Sequence, residues 1–171
     1  VVTHLEPLAG NWLAKILANA DPTLGPRAAL RECNMVGRSQ VVAALLRQIA
    51  GVAPLDVDIL LSGPTGSGKT ETARLIHRNS QRAAGPFVEL NCAAIPAGLL
   101  EAELFGATAG SYTGSTHDRA GLVGAAEGGT LLLVEIGELP LVAQAKLLQV
   151  VQDRIYHRVG ESRPRSANIR L

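Results

Sequence analysis

Between the apolar run Asp58-Ile-Leu-Leu-Ser62 and a stretch that resumes helical spacing through Ala73, Ile76 and His77 stand eight residues, Gly63-Pro-Thr-Gly-Ser-Gly-Lys69-Thr70. No other feature restricts this chain so strongly. The octapeptide matches G-x-x-x-x-G-K-[ST] at every fixed position, and its flanks read as strand, loop and helix. Glycines let backbone N–H groups turn inward around phosphates, and the helix that follows presents the positive end of its dipole. Lys69 is spaced to meet the outer phosphates, and Thr70 to offer its hydroxyl to Mg²⁺. The spacing therefore predicts one phosphate cradle built from Gly63, Pro64, Thr65, Gly66, Ser67, Gly68, Lys69 and Thr70. A glycine-rich turn without a ligand would leave the matched positions and their flanks unexplained.

The same alternation continues downstream. Val41, Val42, Leu45, Leu46 and Ile49 recur at helical spacing over 39–50, and 70–82 reads as the helix after the cradle. Phe87–Asn91 reads as a strand, Leu99–Phe105 as a helix, Thr130–Ile136 as a buried strand and Leu141–Asp153 as a helix. Strands alternating with helices predict an α/β fold, a parallel sheet flanked by helices. Upstream, Trp12–Ala20 reads as one short helix broken by Asp21-Pro22 and Gly25-Pro26. Residues 1–35 are thus expected to be an N-terminal linker or remnant, and residues 36–171 a domain. No internal repeat or low-complexity tract is present.

Charge excludes some functions. Sixteen basic and fifteen acidic residues leave a formal charge of +1, without the electrostatic footprint of a duplex-binding domain. Aromatics at 3% give little stacking platform for single strands. No direct DNA binding by this segment is expected. Cys33 and Cys92 stand far apart with no signal-peptide pattern, and no apolar run approaches the roughly 20 residues that span a bilayer. The expectation is a cytoplasmic protein with reduced thiols and no membrane contact. Cys92 reads as a structural thiol, the four histidines as surface or helix-face residues outside any metal spacing, and Arg163, Arg165 and Arg170 as a solvated basic end.

A cradle of this kind works with a second strand that ends in acids, one holding Mg²⁺ and one activating water. The candidate is Gly128-Gly-Thr-Leu-Leu-Leu-Val134-Glu135-Ile136. Glu135 lies where a water-polarising base would sit, although a solvated strand-end carboxylate is the plainer reading of that residue alone. Val134 occupies the place of the metal-holding Asp. A buried valine accepts no hydrogen bond from a metal-bound water, so hydrolysis is expected to suffer even where nucleotide binding survives.

With these residues on view, the chain from about Met35 to Arg170 resembles the AAA+ domain of sigma-54-dependent transcription activators. Val36-Gly37-Arg38-Ser39 is similar to the family's opening segment near the adenine pocket. Phe87-Val-Glu-Leu-Asn91-Cys92 resembles the strand ending in an Asn that senses nucleotide state. Leu100-Glu-Ala-Glu-Leu-Phe105-Gly106 precedes Gly110-Ser-Tyr-Thr-Gly-Ser115, which stands where the family carries its GAFTGA loop; Tyr112, Thr113, Gly110 and Gly114 keep its aromatic tip, hydroxyl and glycines. Glu135-Ile-Gly-Glu-Leu-Pro140, Gln144-Ala-Lys-Leu-Leu148 and Arg158-Val-Gly160 continue the likeness, and Asn168–Leu171 resembles the start of the strand towards the first sensor.

The resemblance implies a three-layer P-loop NTPase (AAA+) core with the lid subdomain missing, and ATP and Mg²⁺ as cofactors. It implies adenine-side binding by Val36 and Gly37, with Glu135 and Asn91 as catalytic residues. It further implies contact with the sigma-54 RNA polymerase holoenzyme through Gly110, Tyr112, Thr113 and Gly114, self-association into a ring in a completed chain, and transcription regulation of the two-component response-regulator type. In that family ATP hydrolysis moves the aromatic-tipped loop and so remodels the polymerase. Here Val134 and the absence of the family's arginine fingers point towards binding without efficient turnover. Three other readings stay open: a nucleotide-binding module deficient in hydrolysis, a different AAA+ ATPase such as an unfoldase or helicase loader, and a decayed gene fragment.

Overall fold

Helix α1, Gln40–Val52, begins where a side-chain acceptor meets an orphan amide. The Ser39 hydroxyl accepts from the Val42 N–H at 3.3 Å, satisfying one of the donors that a helical first turn leaves unpaired. Its inward face buries Leu45, Leu46, Ile49 and Val52; Ile49 is wholly buried and Leu46 almost so, each burial contributing about 1.5–3 kcal/mol. The computed structural model describes residues 4–7 as backbone, residues 30, 31, 33 and 35, and residues 39–111 and 117–171. The expected helix at Trp12–Ala20 lies outside the described residues.

The chain divides into two compact units, residues 1–84 and 85–171. In the first, β2 (Ile59–Ser62) runs antiparallel to β1 (His4–Pro7), with His4 opposite Ser62 and Pro7 opposite Ile59. This differs from the sequence expectation, which gives β2 parallel company and makes residues 4–7 linker. Helix α2, Lys69–Arg78, follows the glycine-rich loop and buries Thr72, Ala73, Leu75, Ile76 and His77. Of the two readings open for the histidines, surface or helix face, His77 takes the second: it lies on the inward face of α2 with Ala73 and Ile76 and is buried there. Leu75 and Ile76 meet Leu30, Leu45, Leu46, Ile49, Val52 and Ala53 in one apolar cluster.

Helix α2 stops at Arg78, four residues before the expected end at Arg82, because side chains there satisfy the last carbonyls. The Asn79 carboxamide donates to Leu75 O at 2.8 Å and to Arg31 O at 3.1 Å, and accepts from the Arg31 N–H at 2.7 Å. Beyond it, Arg82 grips Asp56 with two bonds of 2.6 and 2.8 Å, and Gln81 donates to Pro54 O at 2.9 Å. A bidentate guanidinium–carboxylate fork fixes direction as well as distance. Together they hold the end of α2 against the turn after α1.

The second unit is built on a parallel pair, β3 (Phe87–Asn91) with β6 (Thr130–Val134), in the register Phe87↔Thr130 to Asn91↔Val134. Arg170 adds a parallel bridge on Thr130, its N–H donating to Gly129 O at 3.0 Å and its carbonyl accepting from Leu131 at 2.8 Å. Arg170 is 2% exposed, so the expectation of a solvated basic end fails at this residue: the chain lies against β6 here and is covered. Helices α3 (Ala97–Phe105), α4 (Leu122–Ala125) and α5 (Leu141–Asp153) supply the apolar cover. Leu100, Leu104, Phe105, Val123, Leu147 and Val150 pack with Leu90 and Leu131 in a second cluster. The α/β class with a parallel pair and flanking helices is as the alternation predicts.

Two short antiparallel pairs go beyond the sequence expectation. β4 (Gly106–Ala107) pairs with β5 (Arg119–Ala120), and β7 (Ile155–Tyr156) pairs with β8 (Arg165–Ser166). At the first, backbones nearly touch: a Cβ on Gly121 would stand 2.2 Å from Gly106 N, and one on Gly106 would stand 2.5 Å from Arg119 O. At β8, Arg165 makes a two-bond fork with Glu161 at 2.9 and 3.0 Å. Its hydrogen bonds hold the Glu161 carboxyl below the usual carboxylate range.

Candidate functional site

The loop between β2 and α2 turns on two glycines in the left-handed region, Gly66 at φ 77° and Gly68 at φ 87°. No heavy atom lies within 4 Å of a Cβ built at either, so these glycines answer to backbone conformation and not to crowding. The Ser67 N–H donates to Pro64 O at 3.2 Å, closing the turn. Gly68 then caps α2, and its carbonyl accepts both the Thr72 N–H at 2.9 Å and the Thr72 hydroxyl at 3.0 Å. Thr72 is fully buried. The motif spacing does not single it out; a hydroxyl one helical turn beyond the last loop glycine is the signal that could have found it.

Lys69, the first residue of α2, folds its ammonium back over the loop and donates to Gly63 O at 3.0 Å and to Pro64 O at 3.1 Å. Its charge therefore sits within the loop's own span, beside the first-turn amides of α2. Thr70 follows within that first turn, half-buried. The Ser67 hydroxyl is buried and has no hydrogen-bond partner among the described residues. Left-handed glycines, an inward lysine, a helix N-terminus and an orphan hydroxyl fit a polyphosphate. The octapeptide Gly63, Pro64, Thr65, Gly66, Ser67, Gly68, Lys69 and Thr70 runs from the end of β2 through the loop into the first turn of α2, the strand–loop–helix setting that its flanks predict.

In the second unit, Asn91 and Glu135 come to neighbouring strand ends. Asn91 is in register with Val134, the residue before Glu135, at the carboxyl ends of parallel strands where α/β sheets place their ligands. β6 ends at Val134, two residues short of the expected Ile136, because Glu135 takes the left-handed conformation at φ 55° and ψ 50°. A non-glycine residue there stores about 1–2 kcal/mol, and such strain gathers at functional positions. The exposed Glu135 carboxylate makes no hydrogen bond or ion pair among the described residues, while its carbonyl accepts from Glu138 at 3.0 Å. Val134 is half-buried and offers no oxygen. The strand end therefore fits a water-facing base at 135 and does not fit a carboxylate-held metal at 134.

Cys92, next to Asn91, is 1% exposed, and burial pushes its thiol pKa up, with a smaller opposing effect from a backbone hydrogen bond. A buried, protonated thiol is structural, as the sequence suggests.

The glycine-flanked loop after α3 is held at its base. Ala107 bridges Val159, the Thr108 N–H donates to Val159 O at 3.0 Å, and the Val159 N–H donates to Gly106 O at 2.9 Å. The Asp118 carboxylate accepts the Ala109 N–H at 2.9 Å, and Arg119 pairs with Glu103 at 2.7 Å. Gly110 is exposed at φ 77° with open space around it. Tyr112, Thr113 and Gly114, expected at the tip, lie outside the described residues, as do Val36 and Gly37 of the expected adenine side. Among the described residues no helix is long and apolar enough to cross a membrane.

Comparison with known proteins gives one family for most of the chain. The family model described as the Sigma-54 interaction domain matches residues 35–171. The nitric oxide reductase transcription regulator NorR2 of Cupriavidus necator is 47% identical over 137 residues, covering 80% of this chain and 26% of that protein. A crystal structure of NtrX from Brucella abortus superposes with a TM-score of 0.72 at 38% identity, over 80% of this chain and 30% of that one. A structure of the same protein in complex with ATP gives 0.68 at 35% identity, over 80% and 29%. The chain thus spans about a quarter to a third of the length of these relatives.

Proposed function

The chain belongs to the sigma-54 interaction domain family, and from that premise we propose that it binds ATP at Gly63–Thr70 and acts as the nucleotide-responsive part of a sigma-54-dependent transcription activator. The observation that carries this reading is the loop itself: Gly66 and Gly68 in the left-handed region, with Lys69 turned inward onto Gly63 and Pro64. Lys69 would exchange carbonyl partners for phosphate oxygens or share its donors between them, and Ser67 would gain an acceptor. Mg²⁺, held by Thr70 and the phosphates, would neutralise charge on the outer phosphates. Val36 and Gly37 are assigned to the adenine side by resemblance, and Asn91 and Glu135 to sensing the nucleotide and polarising water. The ATP complex of NtrX supports the nucleotide, and the names of the relatives support the regulatory role.

On this reading Gly110, Tyr112, Thr113 and Gly114 meet the sigma-54 polymerase, the active form is a self-associated ring, DNA is not touched by residues 36–171, and the protein works in the cytoplasm under a receiver-type input. Residues 1–34 precede the family-matched segment, with residues 4–7 laid against β2. A second reading is favoured by Val134, which puts no carboxylate where the metal is usually held: the chain binds nucleotide and hardly turns it over. Titration of a fluorescent ATP analogue tests the first reading. Saturable binding that Lys69→Ala weakens about tenfold to a hundredfold, the size of one or two charge-assisted bonds, is the expected result; a well-folded chain indifferent to millimolar ATP would remove it.

A further inference from the structure

The Asn79 carboxamide, at the end of α2, reaches chain that is far away in sequence. Beyond its bond to Leu75 O, its Oδ1 accepts the Arg31 N–H at 2.7 Å and its Nδ2 donates to Arg31 O at 3.1 Å. One planar amide thus pairs with both backbone groups of a residue 48 positions away, as a residue of a neighbouring strand would. Capping α2 needs only the Leu75 bond; the other two hold Arg31. Packing completes the bracket: Leu30 is buried in the apolar cluster that contains Leu75 and Ile76, and Cys33 and Met35 pack against the same cluster. The chain is fixed again where the Ser39 hydroxyl accepts the Val42 N–H and starts α1. In sequence Val36 and Gly37 stand between these anchored points, Met35 and Ser39, which four residues of chain keep within about 14 Å of each other. Where the bracket sets Met35 therefore bounds where the pair can be.

We infer that Asn79 is a positioning residue for the base side of the nucleotide site, docking the segment that leads to Val36 and Gly37 on the helix whose other end carries the phosphate cradle. Helix α2 has 10 residues, a rod about 15 Å long. Its first turn holds Lys69 and Thr70, and the bracket on Arg31 closes just beyond its last residue. One rod therefore sets both the phosphate end and the approach to the base end. Loss of the bracket frees the base side and leaves the cradle as it is, which a general loss of structure cannot do. The base-side role rests on the nucleotide reading above; the docking of residues 30–35 by Asn79 does not.

Affinities of the 171-residue chain for ATP and for inorganic tripolyphosphate, each with Mg²⁺ present, separate the two ends. Asn79→Ala removes all three side-chain bonds and is expected to weaken ATP binding about tenfold, the worth of one or two net hydrogen bonds. Tripolyphosphate affinity is expected to stay within about twofold, since the cradle is untouched. Arg31→Pro deletes the backbone donor from the opposite side and keeps the Asn79–Leu75 bond, so a selective ATP loss there as well excludes helix capping as the cause. Without ligand, the Arg31 amide is expected to exchange about fivefold to tenfold faster in Asn79→Ala. Equal losses for ATP and tripolyphosphate, or ATP affinity unchanged in either variant, overturn the base-side role; so does a parent chain that takes tripolyphosphate as tightly as ATP, with the phosphate cradle left standing. If the parent chain binds neither, the nucleotide reading falls and the base-side role with it, while Arg31 exchange still decides the docking: unchanged exchange in Asn79→Ala removes it.

Discussion

Two corners of the molecule are rich in glycine, and their glycines do not all serve the same end. At Gly63–Thr70, Gly66 and Gly68 stand in open space and are needed for their left-handed backbone; at Gly128–Glu135 the crowded one is Gly129, whose added Cβ would stand 2.0 Å from Pro86 O. The first corner is chemically furnished and sterically empty. The second is sterically full and chemically short of one acid, since Val134 stands where a carboxylate would be useful. The difference teaches that the same residue type can mark a ligand's place or merely the close approach of two backbones, and that only the surrounding atoms distinguish them.

The sharpest way to break this comparison is Gly129→Ala. Overpacking against backbone cannot be relieved by a rotamer change, so a loss on the order of 3 kcal/mol or more is expected in urea unfolding; a loss under about 1 kcal/mol would mean that the β6 corner is not full. Next in size is Val134→Asp, which should raise phosphate release at saturating ATP by about tenfold or more while leaving affinity within about twofold. No increase would show that the missing acid is not what limits this corner. Gly68→Ala comes third: with no neighbour to meet, the methyl should cost only about 1 kcal/mol of stability through its φ of 87°. Nucleotide affinity should fall in the same variant, because the loop can no longer present its amides.

The smallest effect is expected from Glu135→Gly. Relief of the left-handed strain is partly offset by the freer unfolded chain, leaving a stabilisation of up to about 1 kcal/mol, read as a rise in the urea midpoint, with any ATP turnover lost. A destabilised Glu135→Gly would mean that the carboxylate holds structure, contrary to its lack of partners among the described residues.

Much of this is legible in the amino-acid sequence. The Gly63–Thr70 loop can be read there because a phosphate cradle needs fixed residue types at fixed spacing. β3 and α5 can be read to their ends because apolar periodicity persists over Phe87–Asn91 and Leu141–Asp153. The β6 boundary cannot, because Ile136 is apolar and continues the run, while the left-handed turn at Glu135 has no compositional mark. β4, β5, β7 and β8 are two residues each, too short to show an alternation. Arg170 reads as solvated when its charge alone is weighed, and its backbone pairing with β6 is what covers it. At the site, residue chemistry points to Glu135 and Asn91, but the cap that Asn91 makes on the Ala93 N–H depends on a turn invisible to spacing.

The near-contact of Gly106 with Gly121 limits what either position accepts. Because the two chain segments that leave and rejoin the body meet backbone to backbone there, the stretch between them is mounted on a socket of fixed width. Any side chain at either glycine would wedge the socket apart, since a Cβ on Gly121 would also stand 2.3 Å from Phe105 C and 2.5 Å from Leu104 O. The two glycines thus set the gauge at which the chain departs from the unit and comes back to it.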